Sequence, residues 1–142
     1  MASRVEKKST LSEKAIDVVE SPSASESLPG FPIVGIGASA GGLEALETLF
    51  KAMPVDAGIG FVLVVHLDPT HISILPELLQ KHTKMPVCQI VDGMPIERDH
   101  VYVIPPNKDL TILHGTLHLM DLVHPRGTNL PIDSFFRSLA QD

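Results

Sequence analysis

The chain has 142 residues, a hydrophobic fraction of 44% and a formal net charge of −6. Its length suits one domain, with roughly 100–200 residues per domain as the expectation. The acidic balance excludes a global basic field for nucleic acid or anionic lipid, and no apolar run approaches the roughly 20 residues that span a bilayer.

Residues 1–30 are rich in Ser, Glu and Lys and carry no aromatic residue. Such a composition buries too little apolar surface to offset the entropy of ordering, so it reads as a disordered leader ahead of a domain at 31–142. The leader lacks the apolar core of a signal peptide. Cys88 is the only cysteine, so no intrachain disulfide forms, which fits a reducing compartment. It lies in an apolar run and reads as a small buried hydrophobe. The expected location is the cytoplasm.

From Phe31 onward strand and helix signals alternate. Ile33 to Ile36 reads as a short buried strand, and Leu43, Leu46, Leu49, Phe50 and Met53 recur at helical spacing up to Pro54. Gly60 to Val65 (GFVLVV) is continuously apolar, as in a parallel strand covered on both faces. Ile74, Leu75, Leu78 and Leu79 mark a second helix, in which Pro76 is tolerable only in the first turn. Met85 to Val91 reads as a third strand, Asp92-Gly93 as a turn, and Val101 to Ile104 as a fourth strand closed by Pro105-Pro106. Asp109 to Leu113 and Thr116 to Met120 flank His114-Gly115 as a β-hairpin. After a Pro- and Gly-bearing loop, Asp133 is placed to cap a last helix carrying Phe135, Phe136 and Leu139. The expected fold is α/β: a doubly wound, mainly parallel sheet, Rossmann-like and three-layered, a partial domain with one hairpin.

The chemically informative stretch is Gly37-Ala38-Ser39-Ala40-Gly41, set between the first strand and the first helix. A serine on a tight strand-to-helix turn stands exposed at the carboxyl end of a sheet, and the free N–H groups of the helix start can hold an oxyanion. A serine hydroxyl needs a base, and His66 directly follows the second strand. Ends of neighbouring parallel strands share one crevice, so Ser39 and His66 are the candidate catalytic pair. The bland alternative is that Ser39 caps the helix and His66 is a loop histidine. For the third group, Asp68 sits poorly two residues along a turn, and Asp92, Asp99 and Asp133 have sufficient turn or cap readings.

Two competing readings share these residues. Gly35-Ile36-Gly37-Ala38-Ser39-Ala40 also fits the G-x-G-x-x-G/A dinucleotide fingerprint, with Asp68 as the ribose-binding acid. His66 and His71 could suggest a metal, but Pro69 breaks their helical presentation and no further ligand cluster is evident. The absence of Trp, a single Tyr and no basic cluster argue against nucleic acid.

The run from Ile33 to Leu46 (IVGIGASAGGLEAL) resembles the start of the CheB-type protein-glutamate methylesterase domain of bacterial chemotaxis. Three further stretches agree in order and spacing: Val64-Val65-His66-Leu67, Asp92-Gly93-Met94 through Val101 to Pro106, and Leu130 to Ala140. Their wording is closest to the CheB-like domains that open CheB–CheR fusion proteins. The resemblance implies hydrolysis of glutamyl methyl esters on cytoplasmic helices of chemotaxis receptors, with deamidation of receptor glutamines as a further activity. It implies Ser39 as nucleophile and His66 as general base, and needs no cofactor or metal. Implied partners are methylated receptor helices and a fused or partner CheR-type methyltransferase, with no nucleic acid and no membrane insertion. Ala40 stands where the family often has threonine, and Val65 where glutamine is common. The family's catalytic aspartate lies after the next strand, past Asp142, so a catalytically silent receptor- or partner-binding domain is the alternative. Phosphorylation control by a receiver domain within this chain is not expected.

Overall fold

The computed structural model describes residues 28–66, 68–122 and 131–142. The expected leader up to residue 27, Leu67, and the expected loop at 123–130 with His124 and Arg126 lie outside the described residues.

The described residues form seven strands in two sheets, with three α-helices. The main sheet is parallel, with β1 (Ile33–Ser39), β2 (Gly60–His66), β5 (Val101–Val103) and β3 (Val87–Gln89) in the order β1-β2-β5-β3. β2 is central and, apart from His66, buried along its length, as its unbroken apolar sequence requires. A small antiparallel sheet joins β4 (Met94–Pro95), β7 (Thr116–Asp121) and β6 (Lys108–Leu113). The turn between β6 and β7 is His114-Gly115, with φ of 50° and 70°. Both residues are left-handed, as a two-residue hairpin of matching twist demands.

The register separates the two faces of the main sheet. Phe61 pairs with Val34, and the Phe50 ring of α1 (Leu43–Ala52) meets Phe61 edge-on at 5.4 Å, so α1 covers that face. Gly35 and Gly37 point to the other face, where α3 (Pro131–Gln141) lies against them. From Gly35 to Gly37 the contacts step back along α3, from Phe135 and Leu139 to Ile132 and Phe136. Thus α3 runs opposite to β1, and its amino end lies at the edge where β1 ends. Helices on both faces of a parallel sheet give the expected α/β architecture.

Four details differ from the sequence reading. α2 spans Pro69–Gln80 and holds Pro76 well inside it, not in its first turn. It starts earlier because Asp68 caps it: Asp68 Oδ1 accepts the His71 N–H at 3.2 Å, and Pro69 takes the first helical position. The third strand shortens to Val87–Gln89, because Met85 is drawn into a turn, donating to Thr83 Oγ1 at 3.1 Å. β4 was unforeseen, since two residues carry no periodicity. Asp133 lies within the first turn of α3 instead of ahead of it.

Candidate active site

Ser39 is the last residue of β1 and His66 the last of β2, and the two are register partners. Adjacent strands lie about 4.8 Å apart, which puts a hydroxyl and an imidazole within reach of each other. Ser39 continues the alternation of Gly35 and Gly37, so its side chain leaves β1 on the α3 face, and His66 leaves β2 on the same face. Both residues are exposed. The structure therefore brings together both sequence-predicted site residues at the carboxyl edge of the sheet. No hydrogen bond joins their side chains in this arrangement, which is common before a substrate is bound.

The turn after Ser39 is made differently from the sequence expectation. Ser39 has φ −113° and ψ −173°, ordinary extended backbone, and the chain turns through a 3-10 segment, Ala40–Gly42, that leads into α1. No left-handed glycine is involved: among the described residues the positive-φ glycines are Gly58, Gly93 and Gly115. Gly42 is small for another reason, since a Cβ there would lie 2.9 Å from that of Ala38. Ser39 holds the N-cap position of this segment, but its hydroxyl makes no cap hydrogen bond. The first N–H groups of the segment are thus left without a side-chain cap, beside the hydroxyl.

Of the four carboxylates weighed for the third position, three are committed elsewhere, and Asp133 stands exposed in the first turn of α3. Asp68 faces His71, with Oδ2 against Nδ1 and Oδ1 on the backbone N–H. Asp92 Oδ1 accepts the Leu119 N–H at 2.9 Å, in the small sheet. Asp99, left-handed at φ 60°, accepts the Gly58 N–H at 2.6 Å at the opposite edge of the main sheet. The Asp68–His71 pair was not foreseen as a pair; a short acid–x–x–His spacing at a helix start was the available signal. Among the described residues no group of three or more His, Cys, Asp or Glu side chains is placed to hold a metal ion. Gly35 and Gly37 also lose their need for a phosphate, since a Cβ at Gly35 would lie 2.8 Å from the Phe135 ring and one at Gly37 2.8 Å from Ile132. Close helix packing is what these two glycines serve. Cys88 is half-buried, and burial first, then Glu97, pushes its thiol pKa up, as suits a packing residue.

Residues 34–142 match the CheB methylesterase family. The chain belongs to the CheB methylesterase family. CheB relatives include a Xanthomonas oryzae pv. oryzae protein named protein-glutamate methylesterase/protein-glutamine glutaminase 2, 35% identical over 112 residues that are 76% of this chain and 31% of the relative. A Pseudomonas aeruginosa protein of the same name, numbered 3, is 33% identical over 110 residues, 76% of this chain and 32% of its own length. This chain thus spans about a third of the curated relatives that it matches. Its fold is that of the Thermotoga maritima CheB methylesterase catalytic domain, with a TM-score of 0.66 at 22% identity over 80% of this chain and 62% of that one. No helix among the described residues is long and apolar enough to cross a membrane.

Proposed function

We propose that this domain is a serine ester hydrolase that removes methyl esters from glutamyl side chains of chemotaxis receptors, with Ser39 as nucleophile and His66 as general base. The observation that carries this reading is the register of Ser39 with His66 at the carboxyl edge of the parallel sheet. In the cycle, Ser39 Oγ attacks the ester carbonyl while His66 takes its proton, and the backbone N–H groups after Ser39 hold the oxyanion. His66 returns the proton to the departing methoxide, methanol leaves, and water, activated by His66, cleaves the acyl-enzyme to glutamate and free Ser39. Glutamine deamidation follows the same course with ammonia as the leaving group. The domain acts in the cytoplasm, where receptor helices and a CheR-type methyltransferase are its partners.

The test is release of methanol from methyl-labelled receptor. Ser39→Ala and His66→Gln are each expected to lower turnover by about 10⁶-fold, as loss of a triad nucleophile or base does, with unchanged circular dichroism. Turnover that survives Ser39→Ala overturns the assignment. A second reading, a silent receptor-binding domain, is favoured by the commitment of Asp68, Asp92 and Asp99 to other partners. It predicts receptor binding without labelling of Ser39 by a fluorophosphonate.

A further inference from the structure

α1 and α2 both start at the carboxyl edge of the sheet and end at its amino edge, about 15 Å from Ser39 at 1.5 Å per residue. Between their ends lies a hollow of about 570 Å³. Its apolar lining includes Phe50, Met53 and Val55, and its rim carries Lys51, Lys81 and Lys84. A second hollow of about 350 Å³, reaching Pro76, Glu77 and Val87, adjoins it through Gln80 and Lys81. Together they form a groove longer than a single ion or small acid requires.

The rim concentrates charge against the trend of the molecule. The chain as a whole is −6, yet three of the six Lys and Arg among the described residues line this hollow and no carboxylate does, Glu77 lining only the second hollow. Of the others, Lys108 pairs with Asp121, and Arg98 lies over the Phe31 ring. No described carboxylate forms an ion pair with Lys51, Lys81 or Lys84. Helix dipoles account for Lys51 and Lys81, which sit at the ends of α1 and α2. They do not account for Lys84, four residues past the end of α2, because the dipole effect fades within the last turn.

The wall bearing Lys81 and Lys84 is also built firmly. Gln80 Nε2 donates to the carbonyls of Thr83 at 3.0 Å and Met85 at 2.9 Å, and Gln80 Oε1 accepts the Val87 N–H at 2.9 Å. His82 faces Glu47 of α1 at 3.8 Å, which ties the turn to the other wall. Val55, in the lining, is 47% exposed and available to a ligand. A pre-formed site lowers the ordering cost of binding.

We propose that this groove docks an acidic peptide segment anchored by aliphatic side chains, from a protein partner, at a site separate from the Ser39 edge. Charge complementarity selects carboxylates, and the apolar Phe50, Met53 and Val55 in the lining select a side-chain-bearing peptide over a phosphate chain. The test is fluorescence anisotropy with a labelled ten-residue peptide of alternating Glu and Leu, beside deca-glutamate and polyphosphate. Saturable binding of the Glu-Leu peptide is expected, with deca-glutamate at least about fivefold weaker for want of anchors. Lys81→Gln/Lys84→Gln should weaken the Glu-Leu peptide about fivefold, as loss of two exposed charge contacts would. Val55→Ser should weaken it while sparing the rim charge, and thermal melts confirm that each variant is folded. Equal binding of deca-glutamate or polyphosphate, no saturable binding, or unchanged affinity in both variants overturns the proposal. Because peptide binding is read without turnover, the result stands apart from the esterase assignment.

Discussion

A Cβ built on Gly35 would lie 2.8 Å from the Phe135 ring and 3.0 Å from Leu139, and Phe135 is completely buried. A flexible surface side chain could step aside there; a ring locked in the core cannot without moving α3. Gly35→Val is therefore expected to destabilise the domain by about 2–3 kcal/mol, the upper part of the range for overpacking. Urea unfolding checks this, and a midpoint equal to wild type would show that α3 is more loosely held than its contacts imply. The same reasoning explains a failure of motif reading. The G-x-G pattern was legible in the sequence, but its cause was not, because α3 is about a hundred residues away. The side-by-side placement of Ser39 and His66 was legible for the opposite reason. Each ends an apolar strand whose parallel pairing puts strand ends side by side, so local pattern and topology gave the same answer. A second residue-level expectation concerns Cys88. With its thiol pKa raised by burial, less thiolate is present near neutral pH, so iodoacetamide should label it several-fold more slowly than a free cysteine. Labelling at the rate of the unfolded chain would contradict its packing role.

At the scale of elements, β2 was the easiest to read and α2 the hardest. Six consecutive apolar or small residues specify a strand covered on both faces, and β2 is buried along that run. α2 holds a proline beyond its middle, which sequence rules place near a helix start. The helix persists because Ile72, Leu75 and Leu79 are buried against the core, and that burial outweighs the backbone hydrogen bond lost at Pro76. Two substitutions test this balance. Asp68→Ala removes the cap on the His71 N–H and should cost about 1 kcal/mol. Pro76→Ala restores a helix donor and should stabilise by about 1–2 kcal/mol, less than the full proline penalty because the unfolded chain regains freedom. Both are read from denaturant midpoints. A loss of stability in Pro76→Ala would mean that the proline ring's packing beside Val87, not helix propensity, decides this position.

At the scale of the whole molecule, the main uncompensated feature among the described residues is the outer edge of β1. β1 pairs with β2 on one side, and no described strand pairs with its other side. β6 shows how an edge is protected here: α3 packs along it, and the Ile112 N–H donates to Ser138 Oγ at 3.1 Å. No described residue covers β1 in this way. Seven residues of backbone donors and acceptors stand beside Val34 and Phe136, which are 37% and 39% exposed. Gly35 and Gly37 add no side chain that would set a register against a wrong partner. An open edge of this length with apolar neighbours and no charge is a template for pairing with another chain. The 142-residue chain is therefore expected to self-associate as its concentration rises, seen by sedimentation velocity as a growing dimer or larger species. Val34→Lys places a charge on the edge strand at a half-exposed position, where the ammonium can reach water, and should keep the chain monomeric without lowering its thermal midpoint. If wild type stays monomeric at several hundred micromolar, the edge is covered by residues outside those described. If Val34→Lys associates as wild type does, the contact lies elsewhere, and the exposed Leu113 and Met120 on the small sheet are the next surface to charge.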